Sequence, residues 1–426
     1  MSLLSSLIPG STALGVPAVG ILIAGLFVAG PMSAQRGIKS ISRAGDADAA
    51  RDPYTGNDPK KMKALGYLSF GPFPWDRESR STQAIARALG DPHIRWIETA
   101  HFKFGCALAA REVPGETRLR AKVKAELRQL KKKLPKIKST TRRLDRWLLA
   151  HLYAQRLENV YADFSKMLGV EDADFPRLDR LGTSDHYMGE GKYLGQREKF
   201  CVILFDRKTQ LLRYLQAFAE YTGTAALPVR HEFSRIGSLA FATASQCHGG
   251  MLYGEVHMHA HLAGEVVKNL ASGYKANMIR LPNWWCEGLG HWYSRKVDPK
   301  IVLMDETIDP NQFKRDGWNW EKRVRARVKN YYYPSTEELF DTHDFTEWKV
   351  QEHMMAWSRF EFLLKRDAKG VRRFLDYFND LDVPIRDANE PRHRKLQIAA
   401  IQKAWAMDFD EFDTQWKKHV QARYSK

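Results

Sequence analysis

Three histidines occupy alternate positions, His257, His259 and His261, and they lead into the apolar residues Leu262, Val266, Val267 and Leu270. Those apolar residues recur at the period of a helix rather than a strand. On a helix, His257 and His261 are four apart and share a face, while His259 points elsewhere. Glu255 would lie about 160° around the helix from His257. Glu265 falls on the same stripe as His261, one turn further along.

A second segment follows, Leu281-Pro282-Asn283-Trp284-Trp285-Cys286-Glu287-Gly288-Leu289. Pro282 suits the opening of a helix. That helix carries one acidic residue, Glu287, with His291 four residues on and on the same face. Two histidines four apart and a carboxylate from the next helix form a donor set for zinc. The bland alternative is a pair of packed core histidines, with Glu287 favoured by the positive end of its helix. Trp284, Trp285 and Cys286 read as packing residues, and His231 and His248 as structural histidines without partner spacing. If the first segment were instead a strand, all three histidines would line one face. His259-x-His261 with Glu265 would then resemble a cupin metal box, and Val256 to Leu262 the HxH strand of metal-dependent amidohydrolases. Neither a second cupin box nor a regular strand–helix alternation follows, so the helix is the favoured reading.

The rest of the chain supplies a mixed framework. His93 to Leu108, Phe200 to Phe205, Ser238 to Ser245 and Met251 to Tyr253 read as strands. Leu144 to Leu168 forms one apolar stripe stopped by Gly169, and Leu211 to Phe218 a shorter one. Asp172 to Arg197 reads as loop, and the Trp/Tyr-rich region after Asp309 as irregular. Trp348 to Leu364, Val371 to Phe378, Lys395 to Trp405 and Phe409 to Val420 read as helices. The expected organisation is a signal peptide or membrane anchor over 1–35, a linker and irregular lead-in over 36–91, a metal-site subdomain over 92–300 and a helical subdomain over 301–426.

With 44% hydrophobic and 12% aromatic residues the chain can bury a large core. A net charge of +17 favours anionic surfaces. The cations crowd between Arg118 and Arg146, where they read as a solvated helical face. Neither interleaved aromatics nor a nucleic-acid signature accompanies them, so nucleic acid is not an expected partner. The apolar stretch at 12–34 points to export, as a cleaved signal or a tether. Cys106, Cys201, Cys247 and Cys286 form no CxxC pair, which argues against a cysteine zinc site.

From about Ile94 onward the chain resembles the peptidase-MA-like gluzincins, including a group of exported bacterial proteins. Ile94 to Phe102 is similar to that family's opening strand pair, and Phe200 to Asp206 with its helix to the second strand and helix. Pro282-Asn283-Trp284-Trp285-Cys286-Glu287-Gly288-Leu289 is similar to a PxWxxEGxA-type helix, Trp357 to Gly370 to the late helix pair, and Ile401 to Tyr424 to the closing helix. The resemblance implies an α+β gluzincin fold with a small mixed sheet and a mainly helical C-terminal half. It also implies zinc held by His257, His261 and Glu287. One position departs from the pattern. The HExxH glutamate, the general base, would stand where this chain has Met258, and a thioether accepts no proton at neutral pH. Losing such a base costs about 10² to 10⁴ in rate. The resemblance therefore implies a weak or inactive peptidase that binds a peptide or a cell-envelope segment in its cleft. Two alternatives stay open: an active metal-dependent hydrolase using His291 or an unrecognised carboxylate as substitute base, and a non-catalytic basic scaffold on anionic surfaces.

Overall fold

A six-stranded mixed sheet carries the N-terminal half in the computed structural model, which describes residues 51–90, 93–176, 187–276, 281–303, 318–341, 348–379 and 391–424. The apolar stretch at 12–34 lies outside these residues. In chain order the first elements are α1 (Pro59–Ala64), β1 (Tyr67–Ser69), α2 (Thr82–Leu89), β2 (Arg95–Thr99), β3 (Phe102–Cys106), β4 (Arg111–Glu112), α3 (Thr117–Lys133), β5 (Arg143–Leu144) and α4 (Arg146–Leu168). Then come β6 (Phe200–Phe205), α5 (Lys208–Phe218), β7 (Val229–Phe233), β8 (Ser238–Ala244), α6 (Glu255–Gly273) and α7 (Asn283–Val297). The C-terminal part is α8 (Trp320–Lys329), α9 (Thr336–Asp341), α10 (Val350–Arg366), α11 (Lys369–Asn379), α12 (Pro391–Trp405) and α13 (Phe409–Arg423). All of them fall in one unit, Asp46–Lys426. No described helix is long and apolar enough to cross a membrane.

The sheet order is β1-β2-β3-β6-β8-β7. Strands β3, β6 and β8 run parallel, with Phe104 opposite Val202 and Val202 opposite Phe241. These central strands are buried along their whole length, as strands covered on both faces should be. The outer strands β1 and β7 are antiparallel to their neighbours. The α+β expectation therefore holds, and the helical C-terminal half is present.

Three local expectations are corrected. The lead-in before residue 92 is not all irregular: α1 starts on Asp58, whose side chain accepts from the Lys60 amide, and α2 starts on Ser81. Strand β1 from the same stretch forms the sheet edge. These elements are too short for a periodic signal. Met251 to Tyr253 is not a strand but the end of a 3₁₀ turn, His248–Tyr253, because Gly249 and Gly250 take positive φ values of 62° and 83° and bend the chain. The irregular reading after Asp309 likewise misses α8. The four cysteines are all buried thiols, none of them in a disulfide.

The basic run becomes α3, which buries only Val123, Leu127 and Leu130 and leaves most of its cations to solvent.

One ion cluster ties the β2–β3 turn to the helices. His101 Nδ1 lies 2.7 Å from Glu158 on α4, its Nε2 lies 2.8 Å from Asp172, and its ring stacks on Tyr161. Burial alone would lower the imidazole pKa, but the two carboxylates outweigh it and raise it from 6.5 to about 9. A raised folded pKa gives stability that is fully present below about pH 6.5 and is lost as pH rises through 9. His101→Gln is expected to cost about 1–2 kcal/mol at pH 6, below the range for a fully buried pair because Asp172 is half exposed. Urea unfolding at pH 6 and pH 10 checks this, since the wild-type advantage should shrink at pH 10.

Candidate functional site

Helix α6 packs on the sheet, where Asn269 donates to the Ala240 carbonyl of β8 at 3.0 Å, and α7 packs against α6. A cavity of about 650 Å³ opens between these two helices and the edge strand β7. Its wall carries Arg230 from β7, His261, Glu265 and Lys268 from α6, and Glu287 and His291 from α7. Leu227, Leu239, Leu281 and Leu303 give the same cavity apolar surface.

Small residues set the helix spacing. A Cβ on Gly264 would lie 2.9 Å from the Gly290 carbonyl oxygen, so α6 and α7 meet backbone to backbone there. A Cβ on Gly290 would meet the Lys268 side chain at 3.1 Å, so this glycine leaves room for the lysine stem. On the other side of α7, a Cβ on Gly288 would lie 2.7 Å from the Ala356 oxygen and 2.7 Å from Phe360 Cβ of α10.

The expected site residues are divided by this geometry. His261 and Glu287 line one cavity, together with His291 and Glu265. His257 is half-buried and is not part of that wall. His261 Nε2 faces Thr243 Oγ1 at 3.3 Å, and its ring lies 4.8 Å from that of His248. Burial and the neighbouring His248 lower its pKa to about 3, so it is a neutral imidazole. His259 faces the other side of α6, 3.9 Å from Glu126. Glu255, the first residue of α6, pairs with Arg156. Met258 is fully buried and is not part of the cavity wall.

Lys268 was not singled out by the sequence pattern, although it lies three residues after Glu265. Its ammonium sits 2.7 Å from Glu265 Oε1 and 2.8 Å from Glu287 Oε1. Burial alone would strip its proton, but these two carboxylates outweigh burial and raise its pKa. The reverse holds at Glu265: burial pushes its carboxyl up, and Lys268 and Arg230 hold it below the usual value.

The residue that sequence reasoning missed altogether is His353 on α10. Its Nδ1 lies 2.9 Å from His291 Nε2, and both nitrogens lie 3.9 Å from Glu287 Oε2. Among the described residues, Glu287, His291 and His353 are the group of acidic, cysteine or histidine side chains whose ligand atoms all fall within 4.8 Å of one another. A buried Glu/His/His group of this kind can in principle hold a metal ion. Burial, with His353 and Lys268 adding to it, lowers the His291 pKa far below its ordinary value, so the ring is neutral as a ligand must be. Nothing in the sequence around Trp348 to Leu364 marks His353, because it reaches the site only through the α7–α10 contact.

Comparison of the chain with protein-family models, with curated proteins and with solved structures gave no match.

Proposed function

We propose that the chain is a gluzincin-like binding protein that holds a peptide or protein segment in the α6–α7 cavity and does not hydrolyse it through a motif glutamate. The observation that carries this reading is the placement of Met258, fully buried and apart from a cavity wall made by His261, Glu265, Lys268, Glu287 and His291. A general base must stand within hydrogen-bond reach of the proton it takes. The side chain at 258 does not meet that condition. The wall carboxylates Glu265 and Glu287 are each held by the Lys268 ammonium, at 2.7 and 2.8 Å. The cavity volume and its mixture of leucines with a few charged groups suit a ligand of several residues. Zinc is the metal assigned to this cleft, since imidazole and carboxylate together suit it.

The test is a degenerate octapeptide pool incubated with the full chain. Mass spectrometry should find no new peptide termini, with or without added zinc. Equilibrium dialysis should find peptides retained by wild type and not by Ser272→Trp, which places an indole in the cavity that Ser272 lines. Equal retention by both proteins would sink the cleft reading. Chelator-sensitive cleavage that disappears in His291→Ala would replace it with the active-hydrolase reading. Met258→Glu is expected to leave cleavage absent and to lower the melting temperature, because the new carboxylate would enter a packed layer.

A further inference from the structure

We infer that Glu287, His291 and His353 form a three-ligand metal site in the floor of the cavity, with Lys268 as a built-in cation that competes for Glu287. The site goes beyond the peptide-binding reading and does not need it. It also differs from the His257, His261 and Glu287 set that the resemblance implies, sharing only the carboxylate.

Two imidazole nitrogens and a carboxylate oxygen are ligands for zinc, cobalt or nickel rather than for magnesium or calcium. Zinc takes imidazole at about 2.0–2.1 Å and carboxylate at about 2.0–2.2 Å, which sets neighbouring ligand atoms about 3.3 Å apart around a tetrahedral centre. The observed separations of 2.9, 3.9 and 3.9 Å bracket that spacing. Side-chain shifts below an ångström would bring all three into register.

His291 and Glu287 are one helical turn apart on α7, which fixes them on one face. His353 comes from α10, whose approach to α7 is set by Gly288. The His291 ring packs 5.0 Å from Trp320 and the His353 ring 5.2 Å from Trp348. The three ligands are nearly sealed, at 7%, 6% and 0% exposure. Glu287 and His291 nevertheless line the cavity, so a fourth position can face it. An ion there would supply a Lewis acid able to hold a carbonyl or carboxylate of a bound ligand.

Lys268 supplies the regulation. It holds Glu287 Oε1 at 2.8 Å and leaves Oε2 to the histidine pair. The same ammonium has Glu265 as a second partner at 2.7 Å, so it can stay paired when an ion takes up Glu287. Its charge still repels a divalent cation across a buried site.

The experiment uses the purified full chain, stripped with chelator and titrated calorimetrically with zinc. Cobalt serves as a spectroscopic probe. One zinc equivalent should bind, and cobalt should give the intense visible bands of low coordination number. His353→Ala and His291→Ala should each weaken zinc at least 100-fold, while His257→Ala leaves it unchanged. His353→Gln, close in shape, keeps the comparison valid if the alanine variant fails to fold. Lys268→Met should tighten zinc about tenfold, which a stray surface site would not do. No saturable binding, weak cobalt bands typical of an octahedral aqua ion, or loss of binding in His257→Ala but not in His353→Gln would overturn the site. Unchanged affinity in Lys268→Met would overturn the competition. Zinc binding without peptide retention would remove only the cleft reading, and the converse only the metal site.

Discussion

Arg156→Met is expected to lower the unfolding free energy by about 3–5 kcal/mol, the cost of leaving one member of a buried ion pair alone. Arg156 is almost fully buried on α4 and is clamped between two carboxylates. Its Nε donates to Glu126 at 2.9 Å and its Nη2 at 2.6 Å, while Nη1 donates to Glu255. Burial opposes the charge, yet the acids hold the guanidinium pKa well above its ordinary value. Glu255 is the first residue of the histidine helix, and Tyr153 donates to its carbonyl at 3.2 Å. The arginine therefore anchors the start of α6 against α4. Methionine would fill much of the volume but strand the Glu255 carboxylate, with only the helix N-terminus to favour it, worth at most about 2 kcal/mol. The double variant Arg156→Met with Glu255→Gln should recover more than half of the loss, because no buried charge is then left alone. Urea unfolding of the three proteins decides the matter. A single-variant cost below 1 kcal/mol, or a double variant that is no better, would show that the pair does not anchor the helix.

The contrast between Glu255 and Glu287 shows what the sequence made legible. Both are acidic residues near the start of a helix, and period alone set Glu255 off the histidine stripe, where it is indeed found facing Arg156. Period also put Glu287 and His291 on one face, and they share the cavity wall. The long apolar runs behaved in the same way. Phe200 to Phe205 is a strand buried at every residue, and Leu148 to Leu168 follows one helix to its Gly169 stop, whereas Leu144 lies before that helix in β5. What escaped was of two kinds. Elements of three to ten residues, such as β1, α2 and α8, hold too few residues to show a clear period. Contacts between distant helices carry no local pattern at all, which is why His353 and the partner of Glu255 could not be read. The signal nearest to one was the pair Gly288 and Gly290 within an aromatic helix. Glycine inside a helix costs about 1 kcal/mol relative to alanine, so two of them mark faces where other backbones come close. In the structure those faces are the contacts with α10 and α6 that bring His353 and Lys268 to Glu287.

Gly288→Ala is accordingly expected to damage both the fold and the metal group. An alanine methyl at 288 would stand 2.7 Å from the Ala356 carbonyl oxygen and 2.7 Å from Phe360 Cβ. Neither atom is the tip of a flexible side chain, so α7 and α10 must separate. Overpacking of this kind costs about 1–3 kcal/mol. The gain in helix propensity returns about 1 kcal/mol, and the backbone contact places the net cost at about 2 kcal/mol. The direction of the movement matters more than its cost. Glu287 and His291 travel with α7, whereas His353 stays with α10 and Trp348. Opening the helix crossing should therefore lengthen the 2.9 Å His291–His353 contact and weaken zinc tenfold or more. A change of the same type at Gly90, which has open space around it but a left-handed φ of 63°, should cost stability without touching zinc. Denaturant unfolding and zinc calorimetry on Gly288→Ala and Gly90→Ala separate the two effects. If both variants lose stability and neither loses zinc affinity, then the α7–α10 spacing does not position His353.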